Sequence, residues 1–335
     1  MEVIASAPGK VTLFGEHAVV YGKPAIVASI DKRVVVKCRP RSDKKITISA
    51  LNLSIPGIIL TIEREGEIRL ETDYGKVLSA VSYIREAIRL TQEHIGINRG
   101  ADITVSSEMP VGAGLGTSAA VAVSTIAAYS ASHGYQLEKK DLARLSWETE
   151  KTVQGLASPM DSTIATYGGF IYLKYDGRDF DFESLEDVGD IPLVIGYTRR
   201  LYTTGEMVAK VKRLLDSYGK IGWSIVDIIG SLVEEAKKVL LEGDLPRLGE
   251  LMNINHGLLD ALGVSTKELN NIVYVMRGFG AHGSKLSGAG GGGVAIGVAP
   301  PDKISDIVTA LRMIDATPLE TSIGGEGLVI SSDHS

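Results

Sequence analysis

The chain has 335 residues and a formal charge of −6, enough length for one large domain or two medium ones, and too acidic a balance for a general nucleic-acid binder. A single cysteine, Cys38, excludes an internal disulfide and fits a reducing compartment. The start lacks a basic, apolar leader, and no apolar run reaches the roughly 18 residues that span a bilayer, so a cytoplasmic protein with no membrane partner is expected.

In chain order, Val3–Ser6 and Lys10–Phe14 read as short strands. Ala25–Ile30 and Arg33–Cys38 follow as two more, parted by a turn at Asp31–Lys32, then Ile46–Ile48 and Ile59–Ile62. Cys38 closes a β-branched run and reads as a small buried residue rather than a reactive thiol. The period then changes: Val77, Val81, Ile84, Ile88 and Ile95 recur at helical spacing until Gly96. After strand-like Ile103–Val105, a glycine-rich stretch leads into Ser118–His133, whose many alanines suit a helix packed on all sides. Asp141 is placed as the cap of a helix running to Gln154, and Ile164–Leu173 as a strand. The acidic, turn-rich segment Asp176–Asp190 marks the domain boundary, giving domains 1–185 and 186–335. Beyond it come strand Leu193–Tyr197, helices Glu206–Tyr218, Trp223–Leu241, Leu245–Leu262 and Thr266–Met276, strand Val294–Val298, helix Lys303–Ile314 and strand Gly327–Ile330. Strands and helices mixed in two blocks predict an α+β chain of two domains meeting at a cleft.

Four stretches carry chemistry. The first is Pro110, Val111, Gly112, Ala113, Gly114, Leu115, Gly116, Thr117, Ser118, Ala119 and Ala120. Three glycines bare the backbone N–H groups, and the helix behind them points its positive end the same way, so the loop can cradle phosphate; the alternative is a tight turn. No lysine follows the last glycine, so it is not a Walker A loop. The second, Ser287–Gly293, contains Gly288, Ala289, Gly290 and Gly291 and fits G-x-G-x-x-G literally, but a strand rather than a helix follows it. That excludes a dinucleotide loop. It is either a close-packed turn or a second wall of the phosphate site. The third, Pro8–Gly22, brackets an apolar strand with Lys10, Glu16 and His17; singly, such a lysine is usually solvated and such a histidine is as often structural. The fourth, Gly155–Asp161, presents a carboxylate in a rigid loop, suited to a base or to capping a turn.

Together and in this order, P-G-K…G-E-H-A-V-V-Y-G, P-x-G-x-G-L-G-T-S-A-A, S-P-M-D and K-L-S-G-A-G-G-G-G resemble the GHMP kinases, over Pro8 to Gly293. The run Gly15–Gly22 is most similar to the members that phosphorylate mevalonate. The resemblance implies the two-domain GHMP kinase fold with its active site between the domains, ATP as co-substrate, Mg²⁺, and mevalonate as acceptor, and it leaves room for a homodimer. It implies Asp161 as catalytic base with Lys10 beside it, and Ser118 and Glu150 as Mg²⁺ ligands. Glu16, His17 and Thr204 would stand at the acceptor, and the loop from Pro110 to Ala120 at ATP. The family's third loop usually reads G-x-P-S-G-x-D; here the proline has moved to Pro159 while the glycine-to-aspartate spacing is kept. Helical spacing alone puts Glu150 at the border of an apolar stripe, fit for a cleft or for a half-exposed surface. Arg199 and Arg200 are candidates to grip the acceptor's carboxylate, or are surface charges.

The competing readings are a phosphomevalonate or sugar kinase of the same family, a non-catalytic sensor on that fold, and a dinucleotide-dependent oxidoreductase. The last rests only on Gly288–Gly293. A sensor would be expected to lack Lys10 or Asp161, and both are present.

Overall fold

The computed structural model describes residues 1–50, 58–62, 68–72, 74–109, 112–155 and 157–332. Pro110, Val111 and Leu156 of the loops named above lie outside them. The first two strands are longer than their sequence suggests. β1 runs Val3–Phe14 without a break, with register shifts against its neighbour at Pro8/Lys10 and Thr12/Phe14. β2 runs Ala25–Pro40 straight through Asp31–Lys32. The expected turn there does not form, because β1 pairs along most of its length and the Asp31 N–H finds the Ser322 carbonyl at 3.1 Å.

β3 (Ile46–Ala50) follows, then a hairpin of β4 (Ile58–Ile62) and β5 (Ile68–Thr72). α1 (Tyr74–Ile95), β6 (Ala101–Ser107), α2 (Thr117–Ser132) and α3 (Lys139–Gln154) come next. Asp141 lies in the first turn of α3, while the cap position belongs to Glu138. The segment read as one strand from Ile164 to Leu173 splits into a helix, α4 (Met160–Tyr167), and a strand, β7 (Phe170–Tyr175). The β-branched residues there mimic a strand, but Thr163 and Thr166 return their hydroxyls to the carbonyls four residues back, at 2.7 Å each, which a helix permits. β8 (Phe180–Ser184) pairs with β7 inside the acidic segment.

The first sheet has the order β13-β1-β2-β6-β3, with β7 and β8 joined through β2. α2 lies on β1 and β2, flanked by α1 and α3, and is buried from Ala119 to Ser130. The second sheet, β10-β11-β9-β12, is antiparallel throughout. It is built from β9 (Leu193–Thr198), β10 (Gly283–Ser287), β11 (Gly293–Val298) and β12 (Thr317–Leu319). It carries α7 (Leu245–Ala261), α8 (Lys267–Gly278) and α9 (Ile304–Met313), while α6 (Lys220–Glu242) packs on α7 and reaches β1 and β2, with α5 (Thr204–Tyr218) against α6. β13 (Val329–Ser332) does not stay with this second block: it crosses back and pairs with β1, Val3 opposite Ser332. The largest buried cluster is continuous from Leu13 and Ile26 of the first sheet to Val233 of α6 and Ile296 of β11, so the two halves share apolar contacts behind the cleft.

Candidate active site

One cavity of about 570 Å³ opens between the two blocks, and all four motif stretches reach it. The glycine loop supplies one wall. α2 begins at Thr117 directly after Gly116, and no side chain caps that end, so its first N–H groups and the positive end of its dipole face the cavity. Gly116 has φ +73°, and a Cβ there would stand 2.8 Å from Cγ of Lys10. The glycine is thus what lets the lysine lie across the loop. The Lys10 N–H donates to the Leu115 carbonyl at 2.8 Å, which fixes strand β1 to the loop.

Lys10 is buried, and its Nζ is 3.1 Å from Oδ1 of Asp161 and 3.1 Å from Oγ1 of Thr12. Asp161 sits in the first turn of α4, not in a loop, with its side chain 26% exposed towards the cavity. The side chain therefore meets both the N-terminus of α4 and the Lys10 ammonium.

Glu150 is 2% exposed, so the surface reading of this residue does not hold. Ser118 donates to its Oε1 and Ser162 to its Oε2, both at 2.9 Å. Burial, and then the charge of Asp161, push the Glu150 carboxyl up to about 8 against the opposing pull of the two hydroxyls and Lys10. Ser118 and Glu150 offer only oxygen ligands, and a buried carboxylate this short of positive charge suits a hard divalent cation. Tyr83 of α1 lines the same side, its hydroxyl pushed up chiefly by burial.

The other end of the cavity belongs to Glu16, His17, Arg200 and Thr204. Nε2 of His17 lies 2.9 Å from the Ala289 carbonyl, so Nε2 carries the proton. Nδ1 is then a lone-pair acceptor, buried and without a partner among the described residues. Burial drives the ring down to about 4, so the neutral form is the one present near pH 7. Arg200 donates from Nη2 to Thr204 Oγ1 at 2.9 Å, and among the described residues it has no carboxylate within ion-pair distance. Arg199 is exposed and does not border the cavity. Glu16 is paired with a residue that the sequence alone does not single out: its carboxylate contacts Lys285, both side chains being essentially sealed, and takes a 3.4 Å bond from Asn255.

The second glycine run is the turn between β10 and β11, and no helix follows it, so the dinucleotide reading falls. Gly288 and Ala289 line the cavity. Gly290 (φ +74°) passes so close to Val264 that a Cβ would lie 2.2 Å from its carbonyl oxygen. This is a packing turn that also closes the site.

Residues 82–169 match the GHMP kinases N terminal domain and residues 236–313 the GHMP kinases C terminal domain. The chain is 46% identical over 335 residues to the mevalonate kinase of Thermococcus sibiricus, covering 98% of each chain. It is 47% identical to that of Pyrococcus furiosus, again over 98% of each. The chain belongs to the mevalonate kinases, within the GHMP kinase family. Among solved structures, the L. major mevalonate kinase in complex with R-mevalonate superposes with a TM-score of 0.82 at 27% identity, covering 96% of each chain. A Lactococcus lactis galactokinase, at 21% identity and TM-score 0.78 over 98% of this chain and 95% of its own, shares the fold alone.

What sequence reasoning misses in this mevalonate kinase family member is the support around the named residues. Ser162 and Asn255 fall in none of the motifs, and Lys285 opens the K-L-S-G-A-G-G-G-G run without a role being assigned to it. Lys285 has one usable signal: it is a lysine two residues before Ser287 in a strand whose every residue is buried. A lysine so placed needs a partner.

Proposed function

We propose that the chain transfers the γ-phosphoryl group of ATP to the primary hydroxyl of mevalonate, giving 5-phosphomevalonate. The observation that carries this reading is the meeting, in one cavity, of the Lys10–Asp161 pair with the uncapped N-terminus of α2. The names of the close relatives supply the acceptor.

The backbone N–H groups from Gly112 to Ser118 receive the ATP phosphates. Pro110, Val111, Ala119 and Ala120 complete the sequence motif. Ser118 and Glu150 would hold Mg²⁺, which when bound neutralises phosphate charge. Between a carboxylate of reference pKa about 3.9 and a hydroxyl near water's 15.7 lie roughly 12 units, or about 16 kcal/mol. Asp161 therefore cannot strip the hydroxyl in advance. It orients the hydroxyl and accepts the proton as the new O–P bond forms, which suits a transfer governed by positioning and charge. Lys10 holds the Asp161 side chain through their ion pair and stabilises charge gathering on the moving phosphoryl group.

The acceptor's polar groups sort by the donors and acceptors on offer. Neutral His17 presents Nδ1, a lone pair that can receive a bond from a hydroxyl but not pair with a carboxylate. Arg200, held by Thr204, is the cation left for the carboxylate end. Val19, Val20 and Val208 line the same end and suit a methyl-bearing chain.

The test is an ADP-release assay with mevalonate, phosphomevalonate, galactose and homoserine at equal concentration. Mevalonate should give the highest kcat/KM by a wide margin. A higher value for phosphomevalonate or a sugar defeats the acceptor assignment, and no turnover of any of the four points to the sensor reading.

A further inference from the structure

Glu16 borders the cavity, yet its carboxylate is 1% exposed and both oxygens face protein donors, Lys285 Nζ and Asn255 Nδ2. Lys285 is wholly buried and also donates to the Leu286 carbonyl at 2.6 Å. The pair is one of three ties between the same two segments. Ser287 Oγ accepts from the Thr12 N–H at 2.8 Å and donates to the Thr12 carbonyl at 3.0 Å. His17 Nε2 donates to the Ala289 carbonyl. Residues 285, 287 and 289 thus meet 16, 12 and 17. The strand period places the first two side chains on one face, and the third contact lies in the turn beyond.

His17 itself has φ +61°, a left-handed backbone that a non-glycine residue keeps only where its surroundings hold it. It is held at two points: the preceding Glu16 by Lys285, and its own ring by the Ala289 carbonyl. We propose that Lys285 is a positioning residue for the acceptor: by engaging Glu16 inside the protein it fixes the Glu16–His17 step and so holds the His17 ring at the wall of the cavity. Glu16 is then an anchor and not itself a ligand of the acceptor. This inference rests on mevalonate as the acceptor. It assigns Lys285, whose side chain is sealed inside the protein, no part in binding ATP.

The test is steady-state kinetics on the full chain with Lys285→Met, Glu16→Gln and the double variant. Lys285→Met should raise the KM for mevalonate about ten- to hundredfold, as misplacement of a binding group does, while the KM for ATP stays within about threefold. The double variant, which leaves neither charge buried alone, should recover much of that loss. Equal changes in both KM values mark a merely structural residue and overturn the proposal. A Glu16→Gln variant as damaged as Lys285→Met, with no recovery in the double, overturns it too, since Glu16 would then touch the acceptor. Should Lys285→Met fail to fold, Lys285→Arg keeps the charge but shifts its reach, and the same split or its absence decides. A wild-type chain that ignores mevalonate defeats the acceptor reading instead; the split is then read on whichever acceptor is turned over.

Discussion

Two lysine–carboxylate pairs flank the cleft, and they differ in what they join and in how deeply they are buried. Lys10–Asp161 joins β1 to α4 within the first block, with its carboxylate a quarter exposed to the cavity. Lys285–Glu16 joins the two blocks and is sealed from solvent on both sides. The chemistry of the partners is the same, so burial separates their tasks. An open pair can exchange a proton with a visiting hydroxyl. A sealed pair can only hold geometry, and removing one partner leaves a charge with nowhere to go.

The comparison breaks most sharply at Asp161. Asp161→Asn should lower turnover by about 10²–10⁴-fold, the usual loss on removing a general base. Its melting temperature should stay close to that of the wild type, because the amide oxygen still accepts from Lys10. Lys285→Met should do the reverse in stability, costing about 3–5 kcal/mol in denaturant unfolding. If Asp161→Asn unfolds early while turning over normally, the open pair is structural and the division of labour is wrong.

Acid should strike the sealed side. His17 and His256 are both driven by burial from 6.5 down to about 4. His256 accepts from the Leu286 N–H at 3.3 Å, directly behind Lys285. Above pH 6.5 both folded and unfolded chains hold these rings neutral. Between 6.5 and 4 the unfolded chain takes up protons that the folded one refuses, so stability falls as pH falls through that window. The loss is about 2 kcal/mol per ring at pH 5, from 1.5 units at 1.36 kcal/mol each. Glu150, raised to about 8, gains stability over the same fall and offsets part of this loss, so denaturant unfolding at pH 7 and pH 5 is compared between wild type and His256→Gln, which should remove about half of the histidine share. A His256→Gln chain with the pH dependence of the wild type would mean that this ring is not sealed.

The smallest effect sharpens the open side. Glu150→Gln should move the midpoint of a Mg²⁺ titration at fixed ATP upward about tenfold, while binding of metal-free nucleotide changes less. An unchanged midpoint with unchanged turnover removes Glu150 from the metal site.

The legible parts of the sequence are those where one local rule acts alone. The helical period of α1 and the alanine run of α2 fall where the spacing puts them, and the missing helix after Gly293 disposes of the dinucleotide loop. Legibility fails where tertiary contacts override local preference. Ile164–Tyr167 carries strand-like residues inside α4, and Asp31–Lys32 looks like a turn but continues β2 because β1 and Ser322 satisfy its backbone. In the site, the glycines and the carboxylate in the first turn of α4 announce themselves by spacing. Lys285 and Asn255 do not, because what defines them is a partner some 240 to 270 residues away in the chain.

The return of β13 to β1 has a consequence for the order in which the molecule can be made. Until residues near 329–332 have been synthesised, one edge of β1 has no strand to cover it, although β1 itself is among the first segments to emerge. An uncovered edge offers a row of unpaired N–H and C=O groups to any neighbouring chain. β13 thus acts as the cover for the Val3–Ser6 edge of the strand that goes on to carry Lys10 and lead to His17.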